Sequence, residues 1–232
     1  MPTNAPAAGA AGKRNGFTAR DLALVAVFAG VTAALGLVPP IYTPFSPVQI
    51  TAQNLGVMLA GAILGGRRAF ASQALFLALV ALGLPLLSGG RGGIGVFAGI
   101  TWGFLIGYAV VAGLLGWVTY RVGAPYSLWK GLIINLIFGL PVTYAFGIPG
   151  MMISGHLTLA QAVAGNLPFL PGDAIKAVVA AVVAKGVHTA YPGLLPWRGR
   201  KAPVPQETPS QETPGSGEVA ATLSGDGAVG HE

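Results

Sequence analysis

The sequence predicts an all-α integral membrane protein with six transmembrane helices and both termini in the cytoplasm. Of its 232 residues, 53% are hydrophobic and 9% are charged, and the mean hydropathy is +0.68. Those values suit a bundle of membrane helices and exclude an ordinary water-soluble domain. Apolar runs recur across residues 22–187, and crossing a hydrocarbon core of about 30 Å takes roughly 20 helical residues. The basic residues supply the orientation, because Lys and Arg gather at the cytoplasmic ends of spans. With the N-terminus inside, eleven of the thirteen Lys and Arg fall inside: Lys13, Arg14, Arg20, Arg67, Arg68, Arg121, Lys130, Lys185, Arg198, Arg200 and Lys201. Arg91 and Lys176 fall outside, and so does Asp173, the one acid between Asp21 and the C-terminal tail.

The expected spans are about 22–38, 51–65, 69–87, 94–119, 128–148 and 171–187. The first carries Ala29 and Ala33 at a four-residue interval, and a signal peptide is a poor reading of it because the run is long and further spans follow. Next comes a proline-rich stretch, 39–47, whose Tyr42, Pro44 and Phe45 make a stiff aromatic loop suited to a lid or to the interfacial belt. The second span is short and carries Gln53, Asn54, Gly61 and Gly65; the third carries Gln73. The fourth holds Gly95, Gly99, Gly103 and Gly107 on one face, with Trp102 and Tyr108 beside them. Small residues at this spacing let helices pack backbone to backbone where lipid offers no hydrophobic drive. The fifth span carries Asn135 and Tyr144, and residues 157–165 suit a separate interfacial helix before the sixth. Pro168, Pro171 and Gly172 end a loop, so the sixth helix is expected to begin near Pro171 with Asp173 in its first turn.

Three domains follow: a flexible cytoplasmic N-terminus over 1–20, a membrane domain over 21–190, and a disordered cytoplasmic tail over 191–232 that is rich in Pro, Glu, Ser, Thr and Gly.

Several chemistries are excluded. Without cysteine there are no thiolate metal sites, redox dithiols or disulfides. The net charge of +6 follows from the cytoplasmic bases and does not indicate nucleic acid. No G-x-x-x-x-G-K-[ST] string occurs, so this chain does not hydrolyse ATP through a P-loop. The G-x-G-x-x-G match at residues 90–95 lacks the flanking strand of a dinucleotide site. His156 has no partner for metal ligation, and no nucleophile with an adjacent base can be assembled, so neither a metal site nor an enzyme is expected.

Asp173 and Lys176 are the candidates for chemistry. Three residues apart on a helix they share a face, which allows a local ion pair, and Asp173 at a helix start also suits a cap. Near a membrane interior, however, ionisable groups usually face a cavity, a partner or a ligand. Arg91, in the glycine-rich loop SGGRGGIG, joins them at the outer level, either as a ligand contact or as a base reaching headgroups. Gln53, Trp102, Tyr108 and Tyr144 are the polar and aromatic residues placed to line a cavity; hydrogen bonding within the bundle is the alternative for Gln53 and Tyr144, and plain packing for Trp102 and Tyr108.

Three strings, PVQITAQNLGVMLAGAILGGRRAF over 47–70, GLPLLSGGRGGIGVFAG over 83–99 and LPFLPGDAIKA over 167–177, together resemble the BioY family, the biotin-binding membrane subunits of energy-coupling factor transporters. The resemblance runs in matching order from about residue 21 to 187. It implies biotin uptake across the bacterial cytoplasmic membrane, with biotin held near the outer face and no cofactor bound by this chain. The implied partners are a coupling membrane protein and two ATPase subunits, which use the ATP, within the lipid bilayer. It further implies a substrate role for Asp173, Lys176 and Arg91, and it makes Ala29 and Ala33 a docking motif for the coupling protein. The chain departs from the family over 100–103, where T-W-G-F with Trp102 replaces a T-G-G-Y type string. The rival readings are a subunit for thiamine or riboflavin, and a non-transporting scaffold or channel subunit.

Overall fold

The apolar runs fold into helices, but the breaks between them fall where glycine and proline dictate. In a computed structural model that describes residues 16–194, the elements are α1 (Ala19–Leu35), β1 (Ile41–Thr43), β2 (Ser46–Ile50), α2 (Gln53–Leu64), α3 (Gly66–Ala81), α4 (Trp102–Val122), α5 (Leu128–Ile134), α6 (Leu140–Gly155), α7 (Leu159–Asn166) and α8 (Phe169–Ala190). Short 3-10 turns at Ile94–Phe97 and Pro192–Leu194 and a π-helical segment at Asn135–Gly139 complete it. All described residues belong to the first of two units, Met1–Gly199. The flexible ends expected at 1–20 and 191–232 lie outside the described residues, apart from 16–20 and 191–194.

The chain is a mostly helical membrane protein with several apolar helices. Two are long and apolar enough to cross a bilayer, Trp102–Val122 and the continuous Leu128–Gly155, and the pair α7 and α8, bent by 50°, makes a third if it counts as one span. The first three expected spans form helices of 17, 12 and 16 residues, so α2 rises only about 18 Å. Backbone geometry accounts for the shortening. Pro39 and Pro40 follow the end of α1. Gly65, at φ 79°, ends α2 and turns directly into α3, a conformation that glycine adopts without strain. Ten of the twelve α2 residues are buried, from Gln53 to Leu64, as in a helix surrounded on all sides. Helices α1, α3, α4 and α8 pack around it.

Four expectations are corrected here. The stretch 39–47 is not a loop but leads into an antiparallel hairpin, with Ile41 opposite Ile50 and Thr43 opposite Ser46; Pro44 supplies the preset φ that a turn favours. The fourth helix starts at Trp102, not near 94, so Gly95 and Gly99 lie outside it. Helix α6 continues through Pro149 to Gly155, which a membrane helix tolerates when neighbouring groups satisfy the freed carbonyl. Finally, α8 begins at Phe169, where Pro171 occupies the first turn and its missing N–H removes no helical bond. Asp173 therefore sits beyond the first turn and makes no cap. A separate helix before α8 does form, as α7, capped by Thr158 with Gln161.

Of the glycine stripe, Gly103 and Gly107 face α6. A Cβ on Gly103 would fall on the Phe146 carbonyl oxygen, and Gly150 lies against the Gly103 backbone. A Cβ on Gly95 would meet nothing within 4 Å. Gly103→Val is expected to cost at least the roughly 1–3 kcal/mol typical of overpacking, seen as a lower thermal unfolding midpoint in detergent, whereas Gly95→Val leaves the midpoint unchanged.

Candidate functional site

The ends of α2, α4, α6 and α8, the β2 strand and the glycine-rich loop converge on one cavity. It is lined by Arg91, Asp173, Lys176, Gln53, Tyr108 and Tyr144, all expected from the sequence, together with Val48, Gln49, Ile50, Thr51, Asn54, Leu87, Thr101, Phe104, Leu105, Thr143 and Phe169. Trp102 is not among them. It stands at the first position of α4 with its ring beside Gly150, and the side chains that reach the cavity from this stretch are its neighbours Thr101 and Phe104.

Asp173 and Lys176 touch each other. The Lys176 Nζ donates to Asp173 Oδ1 at 2.9 Å and the Tyr144 hydroxyl donates to Oδ2 at 2.8 Å. The ion pair that their spacing allows is thus formed. The pair also faces the cavity, with Asp173 only 5% exposed. A carboxylate taken out of water is held in this way by one cation and one hydroxyl, and it ties α6 to α8.

Gln53 serves a different purpose. Its Nε2 donates to the Leu86 carbonyl at 3.0 Å and to the Thr32 carbonyl at 3.3 Å, while its Oε1 accepts from the Ser88 N–H at 2.9 Å. Ser88 in turn donates from Oγ to the Val38 carbonyl at 3.1 Å, and its own carbonyl accepts from Gln49 Nε2 at 3.1 Å and from Arg91 Nε at 3.3 Å. Gln53 therefore fastens the loop that carries Arg91 to α1 and α2. Gly89, Gly90 and Gly93, with φ of 79°, 68° and 87°, let that loop fold back so that Leu87 and Arg91 pair. Isolated glycines in the sequence do not reveal this bracing.

Asn54 is a polar lining residue to which the sequence assigned no site role. Its Oδ1 is buried without a hydrogen-bond partner, and it lines the cavity. A second amide, next to Gln53 at the start of an apolar helix, was the available signal. Of the two readings of the aromatic stretch, a lid or the interfacial belt, outward exposure of Tyr42 at 74% and Phe45 at 76% fits the belt; the hairpin lines the cavity through Val48, Gln49 and Ile50. On α1, Ala29 is 3% exposed and belongs to the chain's own core, with Ala33 packed against that core, so Ala29 offers no docking surface. His156 is exposed and ends α6 in the left-handed conformation. A second histidine of the membrane region, His188 near the end of α8, is buried, with its Nε2 2.9 Å from the Ala62 carbonyl oxygen.

The cavity measures about 70 Å³, well below the roughly 300–1,000 Å³ of small-ligand sites. Its lining joins the apolar side chains Val48, Ile50, Leu87, Phe104, Leu105 and Phe169 to amides, hydroxyls and the charged Arg91, Asp173 and Lys176, a make-up that suits a ring system oriented by a few charge-assisted bonds.

Comparison with known proteins shows the family of the chain. Residues 9–193 match the BioY family. The biotin transporter BioY of Rhizobium etli is 46% identical over 77% of this chain and 98% of its own length, and that of Rhodobacter capsulatus is 42% identical over 78% and 99%. A crystal structure of the S-component for biotin from an ECF-type ABC transporter superimposes with a TM-score of 0.71 at 31% identity, covering 75% of this chain and 95% of that one.

Replacing Gln53 by Leu leaves the Ser88 N–H and two carbonyls without partners. The expected loss is about 2 kcal/mol or more, since each unsatisfied buried group costs on the order of 1–3 kcal/mol, and it is read as a lower unfolding midpoint together with faster hydrogen exchange in residues 86–91.

Proposed function

Because the chain belongs to the BioY family, we propose that it is the biotin-binding subunit of an energy-coupling factor transporter, a multi-pass membrane protein and not an enzyme. One observation carries the reading: a buried carboxylate, an ammonium and a phenol form one cluster on a cavity whose lining also includes the apolar side chains Val48, Ile50, Phe104, Leu105 and Phe169. Biotin needs this combination. Its fused rings want apolar walls, its ureido group presents two N–H donors and one carbonyl, and its valerate tail ends in a carboxylate.

The chemistry distributes as follows. Asp173 and the unpartnered Oδ1 of Asn54 accept from the ureido N–H groups. Lys176 and Arg91 donate to the ureido oxygen and the valerate carboxylate. Admitting the bicyclic ligand requires Lys176 to leave Asp173, so the ion pair is the resting state of an empty site: it keeps the buried carboxylate compensated until ligand N–H groups replace the ammonium. Tyr144 stays on Oδ2 and holds the carboxylate in orientation.

The membrane arrangement that supports uptake is six spans, formed by α1, α2, α3, α4, the joined α5 and α6, and the bent pair α7 and α8, with both termini cytoplasmic. Arg67, Arg68 and Arg121 stand at the ends of α2, α3 and α4 remote from Arg91, Asp173 and Lys176, which supports that orientation. No cofactor is bound by this chain; ATP is used by partner subunits. A coupling membrane protein docks on α1 through Ala26, Gly30 and Ala34, which are exposed at a four-residue interval, with nothing within 4 Å of a Cβ on Gly30. This face replaces the one expected at Ala29 and Ala33.

Asp173→Asn and Lys176→Ala are each expected to weaken biotin binding by roughly 10–100-fold, the range of one charge-assisted bond, with the protein still folded in detergent. Equilibrium binding of labelled biotin reads the effect, and wild-type affinity in both variants would overturn the assignment. A thermal-shift panel with thiamine and riboflavin separates the related vitamins. Gly30→Leu is expected to abolish co-purification with the coupling protein while leaving biotin affinity unchanged; intact co-purification rejects that face.

A further inference from the structure

Gln49 joins two walls of the binding cavity that belong to different parts of the chain. It lies in β2 between Val48 and Ile50, and both of those pack in the apolar cluster of Met151 and Phe169. Successive side chains of a strand point to opposite faces, so Gln49 is turned the other way, to the glycine-rich loop. There its Nε2 donates to the Ser88 carbonyl at 3.1 Å, across 39 positions of sequence. The same oxygen accepts from Arg91 Nε at 3.3 Å.

Ser88 is the fixed point of this arrangement. It is fully buried, its N–H is on Gln53 Oε1 and its Oγ is on the Val38 carbonyl. A carbonyl oxygen has two lone pairs, and here Gln49 and Arg91 take one each. Arg91 is exposed and, among the described residues, pairs with no carboxylate: Asp21 is held by Arg68 and Asp173 by Lys176. The hydrogen bond that holds its guanidinium, among the described residues, is the one at Nε. A guanidinium on one long bond swings about it unless the acceptor is fixed and one side is closed. Gln49 does both from the hairpin, because it saturates the Ser88 oxygen and its amide occupies the side facing β2. An amide also holds Ser88 without adding charge. A carboxylate at this place would pair with the Arg91 cation and withdraw it from the cavity.

We propose that Gln49 is a positioning residue for ligand binding, acting through Arg91: from the hairpin it keeps the guanidinium of an exposed loop residue directed at the cavity. Both residues line that cavity, and the shared Ser88 carbonyl makes the hairpin and the glycine-rich loop one continuous wall. The proposal rests on the reading of Arg91 as a biotin contact given above.

The test is a double-variant cycle on the purified full chain, read by equilibrium binding of labelled biotin. Gln49→Leu is expected to weaken binding by roughly 3–10-fold, the worth of one hydrogen bond, and Arg91→Ala by on the order of tenfold or more. In the Arg91→Ala background, Gln49→Leu is expected to cost nothing further, because residues that act as a unit are not additive. Gln49→Glu is expected to weaken binding more than Gln49→Leu does, by capturing the guanidinium. Wild-type affinity in Gln49→Leu or Gln49→Glu overturns the proposal. So does a Gln49→Leu loss of the same size in both backgrounds, the result of a direct ligand contact or of general support to the fold. Failure of the vitamin assignment looks different, since the wild type then binds no biotin. Hydrogen exchange over residues 86–91 of the empty protein decides in that case: faster exchange in Gln49→Leu retains the brace, and equal exchange rejects it.

Discussion

A carboxylate buried among apolar helices has to be compensated, and the way Asp173 is compensated organises the binding end of this protein. Lys176 from the next turn and Tyr144 from α6 each take one oxygen, so α6 and α8 are joined there. Removing one partner of such a buried pair costs about 3–5 kcal/mol where water is absent. The same compensation is exchangeable, because ligand N–H groups can stand where the ammonium stood. Stability of the empty site and affinity of the filled one thus draw on the same two oxygens.

The glycine-rich loop needs an anchor of another kind. Its backbone pairs across Leu87 and Arg91 and reaches Val80 of α3, and Gln53 at the start of α2 and the Val38 carbonyl beyond α1 hold it through Leu86 and Ser88. Arg91 is held at the cavity by this bracing, with its own Nε on the Ser88 carbonyl. Electrostatics then divides the molecule. One end collects Asp173, Lys176 and Arg91 around the candidate site, and the other collects Arg67, Arg68 and Arg121 with Asp21 and the rings of Phe17, Trp117 and Tyr120. Helix α4 spans the distance between them, and the small residues along it, Gly103, Gly107 and Gly116, let α6 and the α2–α3 junction approach closely.

Much of the site was legible before any coordinates. Asp173, Lys176 and Tyr144 stood out because a polar group in an apolar helix is costly and needs a reason, Arg91 because it falls at the same outer level and Tyr108 for its ring, and all five line the cavity. Gln53 stood out on the same ground, yet its amide is committed to three backbone groups. Trp102 was selected for its ring, and its direction followed from where α4 begins, which no residue count reveals. Ala29 and Ala33 had the right spacing for docking. Spacing says nothing about which face of α1 the rest of the chain covers, and Val25, Ala29 and Thr32 turned out to be the covered one.

The sequence by itself determined that this is a helical membrane protein, where its charges lie, and that Asp173 and Lys176 share a helix face, because composition, basic-residue placement and a three-residue interval are local properties. Only the tertiary structure decided that the two meet each other with Tyr144 as third partner, that a β-hairpin and not an aromatic loop closes the cavity, and that three apolar runs make helices shorter than a span. Those outcomes depend on distant parts of the chain competing for the same backbone and side-chain groups. Gly65, Pro39 and Pro44 break or turn the backbone, Asp173 and Gln53 take the nearest available partners, and close packing around α2 selects which faces remain open.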